Sequence, residues 1–86
     1  MLFNFPAIKT TRTVEEQKEK IYDEIREYEA ENEGDVNKDK EAVDCLHACE
    51  TFLRLRFKGR EEDLNRIIKS TIEKNSKRGY YEESCY

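Results

Sequence analysis

Pro6, Gly34, Gly59 and Gly79 are the only proline and glycines in this chain of 86 residues. Those two residue types are the strongest interrupters of a helix, so long stretches without them constrain what the chain can become. Charged residues make up 42% of the sequence and hydrophobic residues 36%. A chain this polar, yet this poor in the residues that mark loops and disorder, points to helices.

The periodicity predicts three of them. Thr13-Val14-Glu15-Glu16 has the form of a capping box, in which the Thr13 hydroxyl accepts the Glu16 backbone N–H and the Glu16 carboxylate reaches back to the Thr13 N–H. The first helix should start there, carry Val14, Ile21, Ile25 and Tyr28 on its apolar side, and end near Gly34. A second, from about Asn37, carries Val43, Leu46, Cys49, Phe52 and Leu53 as its core face and stops at Gly59 behind Arg54, Arg56 and Lys58. A third, from about Arg60 to Lys77, opens with Glu61, Glu62 and Asp63, has a stripe of Leu64, Ile67, Ile68, Thr71 and Ile72, and stops at Gly79.

Short connections between long helices favour antiparallel neighbours, so the expected fold class is all-α, a three-helix chain forming a thin bundle. At this length a single core is marginal, and homo-oligomerisation, as a dimer or a tetramer, is expected to complete it. Residues 1–12 read as an extended arm whose Leu2, Phe3, Phe5 and Ile8 should dock on a neighbour. Residues 13–81 form the helical domain and 82–86 a tail.

The net charge of -4 argues against a nucleic-acid polymer as partner, although Lys and Arg cluster between Arg54 and Arg78. No run approaches the roughly 20 apolar residues of a membrane span, and MLFNFPAIK lacks the features of a signal peptide. Cys45, Cys49 and Cys85 are odd in number and lack a two-cysteine metal-binding spacing, which suits reduced thiols and a cytoplasmic location.

Four acids fall where a helix of this kind should bury apolar groups. Glu24 lies one turn after Ile21 and one turn before Tyr28, inside the apolar stripe, with Glu27 on its flank. On the second helix Glu41 and Asp44 are again three apart, beside a face of Ala, Cys, Leu and Phe. If the two helices are antiparallel, the pairs face each other. Four carboxylates brought together repel unless a cation neutralises them, and an all-oxygen set suits Mg²⁺, or Mn²⁺, rather than zinc. Against this stands the ordinary solvated face, since E-x-x-E is common in any helix this charged.

The sequence Asp23-Glu24-x-x-Glu27, thirteen residues (28 to 40), then Glu41-x-x-Asp44 resembles the E-E-x-x-E, spacer, E-x-x-D signature of the MazG-like all-α nucleoside triphosphate pyrophosphohydrolases. Lys74-Asn75-Ser76-Lys77-Arg78-Gly79-Tyr80 is similar to the K-x-N-x-x-R-G-[YF] ending of that family, particularly of its short phage-type members. The resemblance covers Val14 to Tyr81. Asp23 departs from the family's first Glu, so it is placed behind the ligands rather than among them. The helix that precedes the acidic one in larger relatives has only the arm in its place here.

The resemblance implies hydrolysis between the α and β phosphates of a nucleoside triphosphate, with Glu24, Glu27, Glu41 and Asp44 holding Mg²⁺. Glu24 is the candidate for orienting or deprotonating the attacking water. Lys74, Lys77 and Arg78 would face the leaving pyrophosphate, Asn75 a sugar hydroxyl or phosphate, and Tyr80 the base. Basic residues at a helix C-terminus are also favoured by the helix dipole with no ligand at all. Two other readings come from the same residues. One is a non-enzymatic helical interaction or regulatory module; the other is a di-iron carboxylate bundle using Asp44-x-x-His47.

Overall fold

The Thr13 capping box forms as its spacing requires, with Glu16 N donating to Thr13 Oγ1 at 3.1 Å and Thr13 N donating to Glu16 Oε1 at 2.9 Å. It opens α1, Val14–Ala30, which is followed by α2, Val36–Arg56, and α3, Glu61–Lys77. These elements are seen in a computed structural model that describes residues 5–82. The chain is all-α, with the three helices in the predicted order.

Helix α1 ends a turn before the predicted stop at Gly34. Glu31 leaves the helix with φ -82° and ψ 148°, and its N–H bonds back to Tyr28 O at 3.3 Å. Gly34 then takes φ +81° inside the connection, where its lack of a side chain removes the steric cost of the left-handed region. Asp35 starts α2 one residue earlier than expected, because its carboxylate accepts Asn37 N at 2.8 Å and serves as the cap.

The contacts divide the chain after Arg56 into two compact units. In the first, α1 and α2 pack as an antiparallel pair. Gln17 near the start of α1 meets Ala48 well along α2, whereas Tyr28 near the end of α1 meets Lys38 near the start of α2. The buried seam of α1 runs through Val14, Gln17, Ile21, Glu24 and Tyr28, a regular three-four alternation in which two of the positions are polar. Gln17 is 1% exposed and Glu24 7% exposed. Ile25, expected on the apolar side, is exposed instead, because it lies one position off this seam.

The face of α2 that meets α1 also differs from the expected one. It runs through Glu41, Cys45, Ala48, Thr51 and Leu55, with Ala48 and Thr51 buried. Small residues let the two backbones approach; the larger Val43, Leu46 and Leu53 point elsewhere and stay 45%, 41% and 37% exposed. Phe52 is half-buried and Cys49 exposed.

Residues 5–13 carry no regular secondary structure; Phe5 and Pro6 lie against α2 of their own chain, and Arg12 reaches Gln17 of α1. The Phe5 ring stacks on His47 with centroids 4.3 Å apart and planes 11° apart, and His47 Nε2 lies 3.3 Å from Pro6 O. The arm was expected to dock on a neighbour; its described part is held here by α2 through His47 and Arg54, whose Nη2 reaches Phe5 O at 3.5 Å. Leu2 and Phe3 fall outside the described residues.

The second unit contains α3. Its first turn carries Glu61, Glu62 and Asp63, as the helix dipole favours. Its end is a Schellman turn, in which Tyr80 N donates to Asn75 O at 3.0 Å and Gly79 takes φ +71°. No helix is long and apolar enough to cross a membrane among the described residues.

Candidate metal centre

Antiparallel packing of α1 on α2 sets the acids of one helix against those of the other. Glu24, Glu41 and Asp44 each offer a carboxylate oxygen, and these oxygens lie within 4.8 Å of one another. Glu24 is buried, Glu41 half-buried and Asp44 exposed, so the cluster opens from the helix seam toward solvent.

Glu27 stands on the flank of this group, one turn beyond Glu24. The hydrogen bond it shares with Glu24, reinforced by the Glu24 charge, raises its pKa above the usual carboxylate range. Burial raises the pKa of Glu41 too, with repulsion from Asp44, Glu24 and Glu31 adding to the effect. Both effects disfavour the charged form of these acids, and the Lys20 ammonium opposes them only in part.

One cation answers the buried acid: Lys20 Nζ lies 2.8 Å from Glu24 Oε1, one helical turn away. Glu24 holds the Lys20 ammonium to higher pH than usual. Asp23, one residue before Glu24, points to the exposed side and pairs with Arg26.

Beside the acids lies a cleft of about 190 Å³. Glu24 and Asp44 line it with Arg12 and Lys20; Gln17 and Ala48 lie between the helices, and Ile8 and His47 complete the wall. Gln17 bridges three segments, donating from Nε2 to Ala48 O at 3.1 Å and accepting Arg12 Nη1 on its own side-chain oxygen at 3.1 Å. Sequence reasoning missed Arg12, Gln17 and Lys20. For Gln17 the signal was present, since it lies three residues after Val14 and four before Ile21; for Lys20 it was the four-residue step to Glu24. Nothing in the local sequence marks Arg12.

His47 is drawn into the arm contact with Phe5 and Pro6, and the group of metal-capable side chains found among the described residues does not include it. This removes the support for the di-iron reading. Cys45 and Cys49 are free thiols, and burial, with the nearby Glu24, raises the pKa of Cys45.

The basic candidates lie in the second unit. Lys74, Asn75 and Lys77 occupy the last turn of α3, Arg78 is its C-cap, and the Arg78 guanidinium lies over the Tyr80 ring at 5.9 Å. Asn75 uses its backbone carbonyl in the terminating turn, and Tyr80 is exposed.

The donor set of the acid group is entirely carboxylate oxygen, which suits a hard divalent cation such as Mg²⁺ or Mn²⁺. The residues present therefore fit such an ion. Compared with protein-family models, with curated proteins and with solved structures, the chain gives no significant match in any of the three.

Proposed function

We propose that the chain is a Mg²⁺-dependent nucleoside triphosphate pyrophosphohydrolase of the MazG-like type, producing a nucleoside monophosphate and pyrophosphate. The observation that carries this reading is the meeting of Glu24, Glu41 and Asp44 across the α1–α2 seam. Convergence of acids from two helices at the spacing of the family signature is more than a charged surface requires.

Glu24, Glu27, Glu41 and Asp44 would hold Mg²⁺. Bound there, Mg²⁺ would screen the acids from a polyanionic substrate and make a water more acidic. Lys20 pairs with Glu24 Oε1, and whichever Glu24 oxygen is left free of metal is the candidate to orient the attacking water or accept its proton. Lys74, Lys77 and Arg78 are donors suited to the leaving pyrophosphate, with Asn75 and Tyr80 as sugar and base contacts. The exposed Val43, Leu46 and Leu53 stripe supports a homo-oligomer, since apolar residues at one helix face are covered in a stable assembly.

The same stripe favours, as a second reading, a non-enzymatic interaction module. Pyrophosphate release from a panel of ribo- and deoxyribonucleoside triphosphates separates the two. Turnover that needs Mg²⁺, stops with chelator and disappears in Glu41→Gln supports the enzyme. Folded protein that turns over no triphosphate supports the module.

A further inference from the structure

We infer that Arg12, positioned by the buried side chain of Gln17, contacts the substrate's phosphates in the cleft beside the acid group. This rests on the pyrophosphohydrolase reading and deepens it, because it names a phosphate contact within the first unit, in addition to the basic residues of α3.

Three observations lead to Arg12. First, the cleft has an acidic side, Glu24 and Asp44, and a cationic side, Arg12 and Lys20. A ligand that combines a divalent cation with a polyphosphate matches both sides at once. Second, Arg12 forms no ion pair among the described residues, although the chain is rich in acids. Its side chain is held instead by a neutral acceptor, the Gln17 amide oxygen at 3.1 Å. A guanidinium carries five N–H donors in a fixed fork, and one of them is used in this contact; Glu16 attracts the charge from nearby but forms no ion pair with it, so other donors of the fork remain for a ligand.

Third, the holder is itself fixed. Gln17 is 1% exposed, and its Nε2 is tied to Ala48 O of α2 at 3.1 Å. A buried amide with both ends satisfied is an expensive way to fill a helix seam, where leucine would pack without hydrogen bonds. Its effect is to transmit the position of α2 to Arg12, a residue that precedes α1 and has no helix to hold it. Lys20 is already committed to Glu24 at 2.8 Å, which leaves Arg12 as the cation of the cleft available to an anion.

The test uses the full chain, with steady-state kinetics on the triphosphate that wild type cleaves fastest and calorimetric titration with Mn²⁺ alone. Arg12→Gln is expected to raise KM about tenfold, the equivalent of one charge-assisted contact, with Mn²⁺ affinity within about twofold of wild type. Arg12→Lys should recover part of that loss. Gln17→Met, close in size but unable to hold the guanidinium, should raise KM in the same direction while still binding Mn²⁺. An unchanged KM in Arg12→Gln overturns the inference and leaves the pyrophosphohydrolase reading standing. A parallel loss of Mn²⁺ affinity also overturns it, since the effect would then lie in the acid group. Absence of turnover in wild type that binds Mn²⁺ overturns the pyrophosphohydrolase reading, and this inference with it.

Discussion

Gln17 Nε2 donates to Ala48 O across the α1–α2 seam at 3.1 Å, and the two residues are among the most buried of the described chain. An amide is thus set where a coiled-coil-like seam would ordinarily place an aliphatic side chain. Gln17→Ala removes this bond and leaves a void, and is expected to cost about 2 kcal/mol of stability. Urea denaturation of wild type and variant measures it; a loss indistinguishable from zero would mean that the amide carries no stabilising contact.

At the start of α1 the capping box makes a smaller and separate contribution. Thr13→Ala should destabilise the protein by about 1 kcal/mol, the usual value of a lost N-cap. The Glu16 carboxyl is held below its ordinary pKa by its hydrogen bonds to Thr13. That stabilisation is present above the unfolded pKa and is lost as the pH falls through the lowered folded value. The stability lost in Glu16→Ala, which removes the titrating carboxylate that accepts the residue-13 N–H, should therefore shrink in acid, which helix content followed by circular dichroism against urea at pH 7 and pH 3 would show.

Glu27 and Glu41 respond to pH in the opposite direction. Their folded pKa values are raised, the first chiefly by the hydrogen bond with Glu24 and the second chiefly by burial. Such groups contribute stability that is fully present below the unfolded carboxylate pKa and is lost as the pH rises through the folded value. With chelator present, the protein should become more stable as the pH is lowered from neutrality toward the ordinary carboxylate range. Saturating Mn²⁺ should flatten or reverse that slope, because the ion competes with protons for the same oxygens. Denaturation midpoints between pH 5 and pH 7, with and without the ion, decide it; a flat metal-free profile would contradict the crowding of these acids.

Neutralising one acid should separate folding from metal binding. Glu41→Gln is expected to raise the melting temperature of the metal-free protein, since it removes a charge repelled by Asp44 and Glu24. Mn²⁺ should raise the melting temperature of wild type and leave that of the variant nearly unchanged. A variant that melts lower than wild type in chelator would show that Glu41 makes a favourable contact in the metal-free protein.

The exposed stripe of α2 bears on assembly. If a second copy covers Val43, Leu46 and Leu53, then Leu46→Lys should shift the mass measured by light scattering toward the monomer, with helix content retained. Monomeric wild type at the same concentration would remove the homo-oligomer from the reading.

Much of the fold was legible in the residue order, because helix starts and stops are local. The Thr13 box needs groups three residues apart, Gly79 needs freedom at one backbone angle, and first-turn acids respond to a dipole within one turn. The place of Glu24 in the buried stripe of α1 followed from periodicity in the same way. What periodicity could not settle was which face of α2 meets α1. Val43, Leu46 and Leu53 are the more apolar choice, but Ala48 and Thr51 allow closer approach of the backbones, and packing of the pair decided for them. Arg12 was out of reach of any local rule, because its position depends on Gln17, and that of Gln17 on a carbonyl of α2 far along the chain. Spacing along one helix is dictated by its own backbone, whereas the meeting of acids and cations from separate segments exists only once those segments pack.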